Sequence, residues 1–277
     1  VNLPFCALAL AVGARVLPRT GGTGEARFDV RGAALWALGL GSLLLAMTFG
    51  GSDGWRAHWL AVLGGSVVLL GLFARAERKA GAPMIDLSLF RDATFGGGVT
   101  AAFLNYIAVF AIMFLTPFRL IEGLGLSPAE SGKLLTAMPL AMAIAAPASG
   151  ALSDRIGTRL PAIAGMVLLG AATSPLALAT ALAVCGFGTG TFISPNTSAV
   201  LGAAPAHRQG VASGVVATAR TTGMVFGVAI AGAVYAGLLL RSPDETQAAY
   251  AAALLPGAAA AALGALFSAL RPRLARA

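Results

Sequence analysis

Arg220 stands alone inside a run of apolar and small residues that extends from Val211 to Leu238. An arginine carried into hydrocarbon costs about 2.5–3.5 kcal/mol on insertion scales, so one kept at such depth usually serves a function. It can face neighbouring helices as a gating or anion-binding group. It can also extend its stem and return its charge to the nearer interface. A second group of charges lies in Gly150-Ala-Leu-Ser-Asp154-Arg155-Ile-Gly157-Thr-Arg159, which reads as a tight polar turn between two apolar helices. Asp154 can approach the N-terminus of the following helix, where negative charge is favoured. Arg155 and Arg159 can reach carboxylates or helix ends in one conformational state. A merely solvated loop is the competing reading.

Reaction chemistry has little to work with. Gly50-Gly-Ser52-Asp-Gly54 has the G-x-S-x-G spacing, but that motif needs a strand-to-helix elbow, and here it falls in a short loop between apolar segments. Gly186-Phe-Gly188-Thr-Gly190 lacks the dinucleotide spacing and lies within an apolar segment, where it reads as helix packing. Cys6 and Cys185 are far apart in apolar blocks and read as small core residues, with no disulfide framework or metal spacing. No catalytic residue, metal ligand or cofactor is expected.

The elements that must position these residues follow from composition. Hydrophobic residues make up 57% of the chain and charged residues 11%, with a mean hydropathy of +0.83, against roughly 25% charged in soluble domains. Nine apolar segments can be marked: 1–14, 33–50, 59–74, 95–118, 134–152, 160–173, 176–200, 211–238 and 249–270. The longer ones suffice to cross a hydrocarbon core of about 30 Å at 1.5 Å per residue. Each must be helical, because a span has to satisfy its own backbone hydrogen bonds, and none shows the alternation of a barrel strand. The expected fold is all-α, a polytopic transmembrane helix bundle. Val1 is not a start methionine and opens inside an apolar stretch with no basic flank, which reads as a truncated beginning rather than a signal peptide.

The net charge of +8 comes from basic residues scattered singly or in small groups between the blocks, a pattern that suits a membrane surface rather than nucleic acid. If the first segment runs toward the cytoplasm, fourteen lysines and arginines fall inside, and only Arg56, Arg119, Lys133 and Arg241 fall outside. That bias sets the direction and leaves the C-terminus cytoplasmic. The tightest region is Leu160–Val200, where two helices share the residues and join near Thr173-Ser174-Pro175. Reading it as one span would invert everything downstream.

Four stretches carry a resemblance. The Gly150–Arg159 loop is similar to the G-x-L-x-D-R-x-G-x-R/K signature of the major facilitator superfamily, in its C-domain copy. Pro83-Met-Ile-Asp86-Leu-Ser-Leu-Phe90 with Phe95, and Gly210-Val-Ala-Ser213-Gly214 with Arg220 and Gly223, resemble motifs of its fourteen-helix drug:proton antiporter branch, the QacA/EmrB type. Gly125-Leu126-Ser127-Pro128-Ala-Glu-Ser-Gly132 resembles that family's extracellular approach to the next helix.

The resemblance implies a major facilitator fold with its first five helices missing. Residues 1–14 would close the N-domain, 15–32 form a basic cytoplasmic linker, and 33–74 hold two additional helices. Residues 75–94 would be a cytoplasmic loop, 95–270 the C-terminal six-helix domain and 271–277 a cytoplasmic tail. It further implies proton-driven export of small hydrophobic or amphiphilic compounds across the inner (plasma) membrane, with cargo, protons and the lipid bilayer as partners. The fourth and seventh segments would face the central cavity, making Asn105, Tyr106, Phe110, Phe192, Asn196 and Thr197 the candidate cargo-binding residues. Gly150, Asp154, Arg155, Gly157, Arg159 and Arg220 would form the conformational motif. No marked segment holds Asp, Glu or His, so any proton-coupling carboxylates are expected in the missing half. A nontransporting module or remnant of such an exporter is the alternative, and a membrane enzyme ranks last.

Along the eighth segment, Ala219, Gly223, Gly227 and Ala231 repeat every four residues, a small-residue stripe that permits close helix contact. Pro139, Pro147 and Pro195 can kink their helices.

Overall fold

The computed structural model describes residues 3–16, 29–52, 56–79, 87–156, 174–239 and 246–269. They form nine α-helices and no strand among the described residues: α1 Leu3–Val16, α2 Val30–Ser52, α3 Ala57–Glu77, α4 Ala93–Phe118, α5 Pro128–Leu135, α6 Ala137–Ile156, α7 Pro175–Ala203, α8 Gln209–Leu239 and α9 Thr246–Ala269. Six stretches, 30–50, 57–77, 93–123, 175–203, 209–239 and 246–268, are long and apolar enough to cross a membrane. The chain is therefore an integral, multi-pass membrane protein. The expected span 160–173 lies outside the described residues.

Helix starts follow local chemistry. Asp92 accepts from the backbone N–H of Thr94 at 2.8 Å and of Phe95 at 2.9 Å, satisfying two donors that the first turn of α4 leaves open. Ser127 and Glu130 form a reciprocal capping box at α5, with Pro128 at the first helical position and Gly125 in the left-handed region at φ 68°. Ser174 caps α7 and Pro175 follows it. The expected single segment 134–152 is instead broken between α5 and α6 at Thr136. The break stands three residues before Pro139, whose ring excludes the carbonyl of Leu135, four residues back, from a regular turn.

α4 is the central and most buried helix, packed against α8 and α9 and touching α7, while α6 packs against α7. The small-residue stripe of α8 meets α4 directly. A Cβ at Gly223 would run into the carbonyl oxygen of Phe103, and one at Gly227 into that of Ile107. Gly186 and Gly190 of α7 lie in the same way on the backbone of α6 at Met138 and Met142, so that glycine run is packing, as expected. α2 and α3 form an antiparallel hairpin whose α2 member leans on α8.

Two apolar clusters hold the bundle. One gathers Ile112, Leu115, Leu120, Met138, Leu182 and Tyr250. The other gathers Phe73, Phe95, Val99, Val200, Val215 and Val216. Along α4, α7 and α8 the clusters occupy opposite ends, and the stretch between them carries Asn105, Tyr106, Asn196, Thr197 and Arg220.

Several expectations are corrected. Cys185 is buried as a core residue, but Cys6 is exposed on α1. Gly150–Ile156 is helical rather than a turn, because nothing in Ala-Leu-Ser-Asp-Arg stops α6 where the apolar run ends. Gly157 and Arg159 lie outside the described residues. Gly50 to Ser52 belongs to α2 rather than to a loop. Arg119, counted among the outer-loop charges, is buried at 8% exposure. The chain continues past Phe118 through a π turn, Arg119–Gly123, and the arginine stem lies against Gly123, where a side chain would collide with it. Spans also reach further than the apolar segments, taking in His58 and a buried Glu77 on α3 and Glu122 beyond α4. Acidic residues therefore do occur within the helices, at their ends.

Candidate functional site

Three helices bring Tyr106, Thr197 and Arg220 together between the two apolar clusters. Tyr106 is about 20 Å from the start of α4 and Arg220 about 17 Å from the start of α8, at 1.5 Å per residue. Both are near the middle of a hydrocarbon core of about 30 Å. Arg220 donates from a terminal guanidinium nitrogen to Thr197 Oγ1 of α7. Its Cζ stands 5.6 Å from the centroid of the Tyr106 ring on α4, within range of a cation–π attraction. Gly223, one turn along α8, makes room for this arrangement, since a Cβ there would lie 3.1 Å from Tyr106 Cβ.

The arginine is therefore folded into the bundle instead of reaching out to an interface. Its Nε is buried and has no acceptor, and Asn105 Oδ1 next to Tyr106 is buried and has no donor. An unsatisfied buried polar atom costs about 1–3 kcal/mol, so a half-satisfied arginine at this depth is an open position for an acceptor group. Thr197 Oγ1 itself donates to Ile193 O at 2.7 Å, which leaves the hydroxyl oxygen free to accept from the guanidinium.

The remaining candidates separate into two kinds. Phe110 stacks on Tyr106 with centroids 6.2 Å apart and lines a cavity of about 300 Å³ with Met224 and Val228 of α8 and Met47 of α2. Asn196 donates from Nδ2 to the carbonyl of Gly98 at 3.1 Å, a tie between α7 and α4. Phe192, one turn away on α7, is buried in the bundle, as is Asn196 itself. Asp154 and Arg155 stand in the last turn of α6 with Gly150 one turn before them.

Some residues of interest are not apparent from the sequence. Trp36, Phe73 and Phe103 join Thr218 and Thr222 around a second cavity of about 360 Å³. Thr116 and Tyr250 share a buried hydrogen bond at 3.3 Å. Residue spacing does not mark them, because which helices meet is set by tertiary packing.

A family model described as the Major Facilitator Superfamily matches residues 98–277, which start within α4 and take in every helix of the Arg220 site. The chain belongs to this superfamily. Among superfamily relatives it is similar to multidrug resistance protein Stp of Mycobacterium tuberculosis, 32% identical over 86% of this chain and 46% of that protein. It is similar too to riboflavin transporter RibZ of Clostridioides difficile, at 30% identity over 85% of this chain and 53% of that protein. Multidrug transporter protein MdtP of Bacillus subtilis is 30% identical over 84% and 46% respectively. The chain spans about half the length of these relatives.

Proposed function

We propose that the chain is the C-terminal part of a fourteen-helix major facilitator exporter. In this reading α2 and α3 are the two additional helices, and α4 through α9 belong to the C-terminal six-helix domain. The cargo is a small hydrophobic or amphiphilic compound, moved outward across the plasma membrane by alternating access and driven by protons, with the C-terminus in the cytoplasm. Gly150, Asp154 and Arg155 at the end of α6, with Gly157 and Arg159 after them in sequence, act as the conformational motif between rocking helices. No reaction chemistry is assigned.

One observation carries this reading. Arg220 is held at mid-depth by Thr197 and Tyr106 from two other helices, with its buried Nε left without an acceptor. A cargo carrying a carbonyl, carboxylate or phenolate on an aromatic body fits such a place, stacking near Tyr106 and Phe110 while accepting from the guanidinium. Names of relatives that mention multidrug resistance and transport support export of such compounds.

The test is efflux from cells or vesicles expressing the whole gene product. Replacing Arg220→Met should lower transport by about tenfold or more, the worth of a charge-assisted hydrogen bond, with expression unchanged. Arg220→Lys should recover part of it. Full transport by Arg220→Met would overturn the role of the site. A protonophore should abolish efflux, and efflux indifferent to the proton gradient would sink the coupling claim alone.

A further inference from the structure

The hairpin α2–α3 touches the bundle through α2 and Phe73 but leaves space beside α8. Trp36, Leu40, Leu43 and Met47 recur along one face of α2, and between that face and α8 lie both cavities, about 360 Å³ and about 300 Å³. The walls are almost wholly apolar. From Trp36 to Met47 the slot runs about 17 Å at 1.5 Å per residue, close to the depth of one leaflet of a core about 30 Å thick. In a bilayer no water fills such a space, and an empty one forfeits the dispersion contacts of its whole lining. A flexible hydrocarbon chain supplies them.

The end of the slot near Trp36 identifies the head of the occupant. Trp36 packs on Phe73 with ring centroids 4.9 Å apart, and Phe90 lines the same cavity. Arg75 follows Phe73 by two residues, Arg91 adjoins Phe90, and Arg31, Arg78 and Lys79 lie at the same end of the hairpin; all five are exposed. Among the described residues the acids nearby are engaged elsewhere. Asp29 accepts from Gly32 N at 2.9 Å, and Asp92 caps α4. Glu77 is buried beside Gly32. An apolar slot one leaflet deep beneath an excess of cations has the chemistry of a single phospholipid.

We propose that the slot between α2 and α8 binds an acyl chain of an anionic glycerophospholipid, whose phosphate is held by Arg75 and Arg91. The Trp36 end of the site, lined by Val215, Thr218 and Thr222, stands on the opposite side of α8 from Arg220, while Phe110 borders only its inner end; lipid binding there does not depend on the transport reading. The lipid fastens the hairpin to the six-helix domain, a joint the protein itself leaves loosely packed.

The experiment uses the chain with Trp55→Phe and Trp59→Phe, so that Trp36 is the remaining tryptophan. It is reconstituted in phosphatidylcholine containing a minor fraction of phosphatidylglycerol, with bromines on the acyl chains of one lipid or the other. Brominated phosphatidylglycerol should quench Trp36 several-fold beyond its share of the lipid. The excess should fall by about fivefold for each charge removed in Arg75→Gln and Arg91→Gln. Ala219→Leu should reduce it at unchanged charge. Raising salt on the unsubstituted chain should also erode the excess through screening, which keeps the test decisive if the double variant fails to insert. Quenching in proportion to bulk composition, or an excess indifferent to both salt and the arginines, would overturn the proposal. So would displacement of the brominated lipid by a neutral hydrophobic cargo.

Discussion

α8 presents two faces that solve opposite problems. Toward α4 it shows Gly223, Gly227 and Ala231, and the helices approach until backbone meets backbone. Toward α2 it shows Val215, Thr218, Thr222 and Val228, and the helices stand apart around two cavities. In hydrocarbon there is no gain from hiding apolar surface from water, so association rests on how closely surfaces fit. The first face is consequently the firm joint that holds Arg220 against Tyr106. The second is loose and open to a ligand. The same helix thus fixes the candidate cargo site on one side and leaves room for lipid on the other.

The largest test of this contrast is Gly227→Val. Its branched side chain has no space against Ile107, and overpacking of this kind costs about 1–3 kcal/mol, occasionally more. Thermal unfolding in detergent should shift down sharply, and a neutral result would mean that the tight joint is not where the contacts place it. On the loose face, Ala229→Leu adds bulk to the cavity wall at Phe110 and Met224. Its effect in the same melt should be much smaller than that of Gly227→Val, because the added atoms enter open space and not a packed contact. A loss as large as that of Gly227→Val would erase the distinction between the faces. Gly214, on the exposed surface of α8, has nothing within 4 Å of a built Cβ. Gly214→Ala should therefore raise stability by about 0.5–1 kcal/mol through helix propensity alone.

The smallest effect lies away from both faces, at the capping box of α5. The hydroxyl and backbone N–H of Ser127 hold the Glu130 carboxyl below its ordinary value of 4.5. With the folded-state value depressed, the cap's contribution is present above the unfolded pKa and is lost as pH falls through the folded one. Hydrogen exchange in the first turn of α5 should quicken with acidification into that range and should lose this dependence in Glu130→Gln. The stability differences caused by the α8 variants should show no such pH dependence.

Much of this organisation was legible because hydrocarbon imposes strict rules. Segment lengths and the lack of strand alternation marked the spans. Gly125–Gly132 was matched only as an approach to the next helix, and the Ser127–Glu130 capping box starts α5 there, ahead of the marked apolar segment. The four-residue repeat from Ala219 announced a close contact, though not its partner. Arg220, Tyr106 and Thr197 were each singled out, yet their meeting was not, because side chains on three helices are joined by tertiary packing that leaves no spacing in the chain. Arg119 was misplaced for a related reason. Hydropathy ends an apolar segment at the first charge, whereas the backbone continues through a π turn and Gly123 accommodates the arginine under the bundle. Asn196 was singled out by residue type alone, and the tie its amide makes from α7 to the carbonyl of Gly98 was not legible in the sequence.

The most direct test of the central claim, that Arg220 faces a path rather than a sealed core, is accessibility at that position. Arg220→Cys would be placed in the whole gene product with other reactive cysteines replaced and treated with membrane-impermeant thiol reagents from each side in turn. The account predicts labelling from either side according to the state favoured, protection by cargo, and partial recovery of transport when a cationic aminoethyl reagent restores the charge. A cysteine inert from both sides, in protein that still transports, would contradict it.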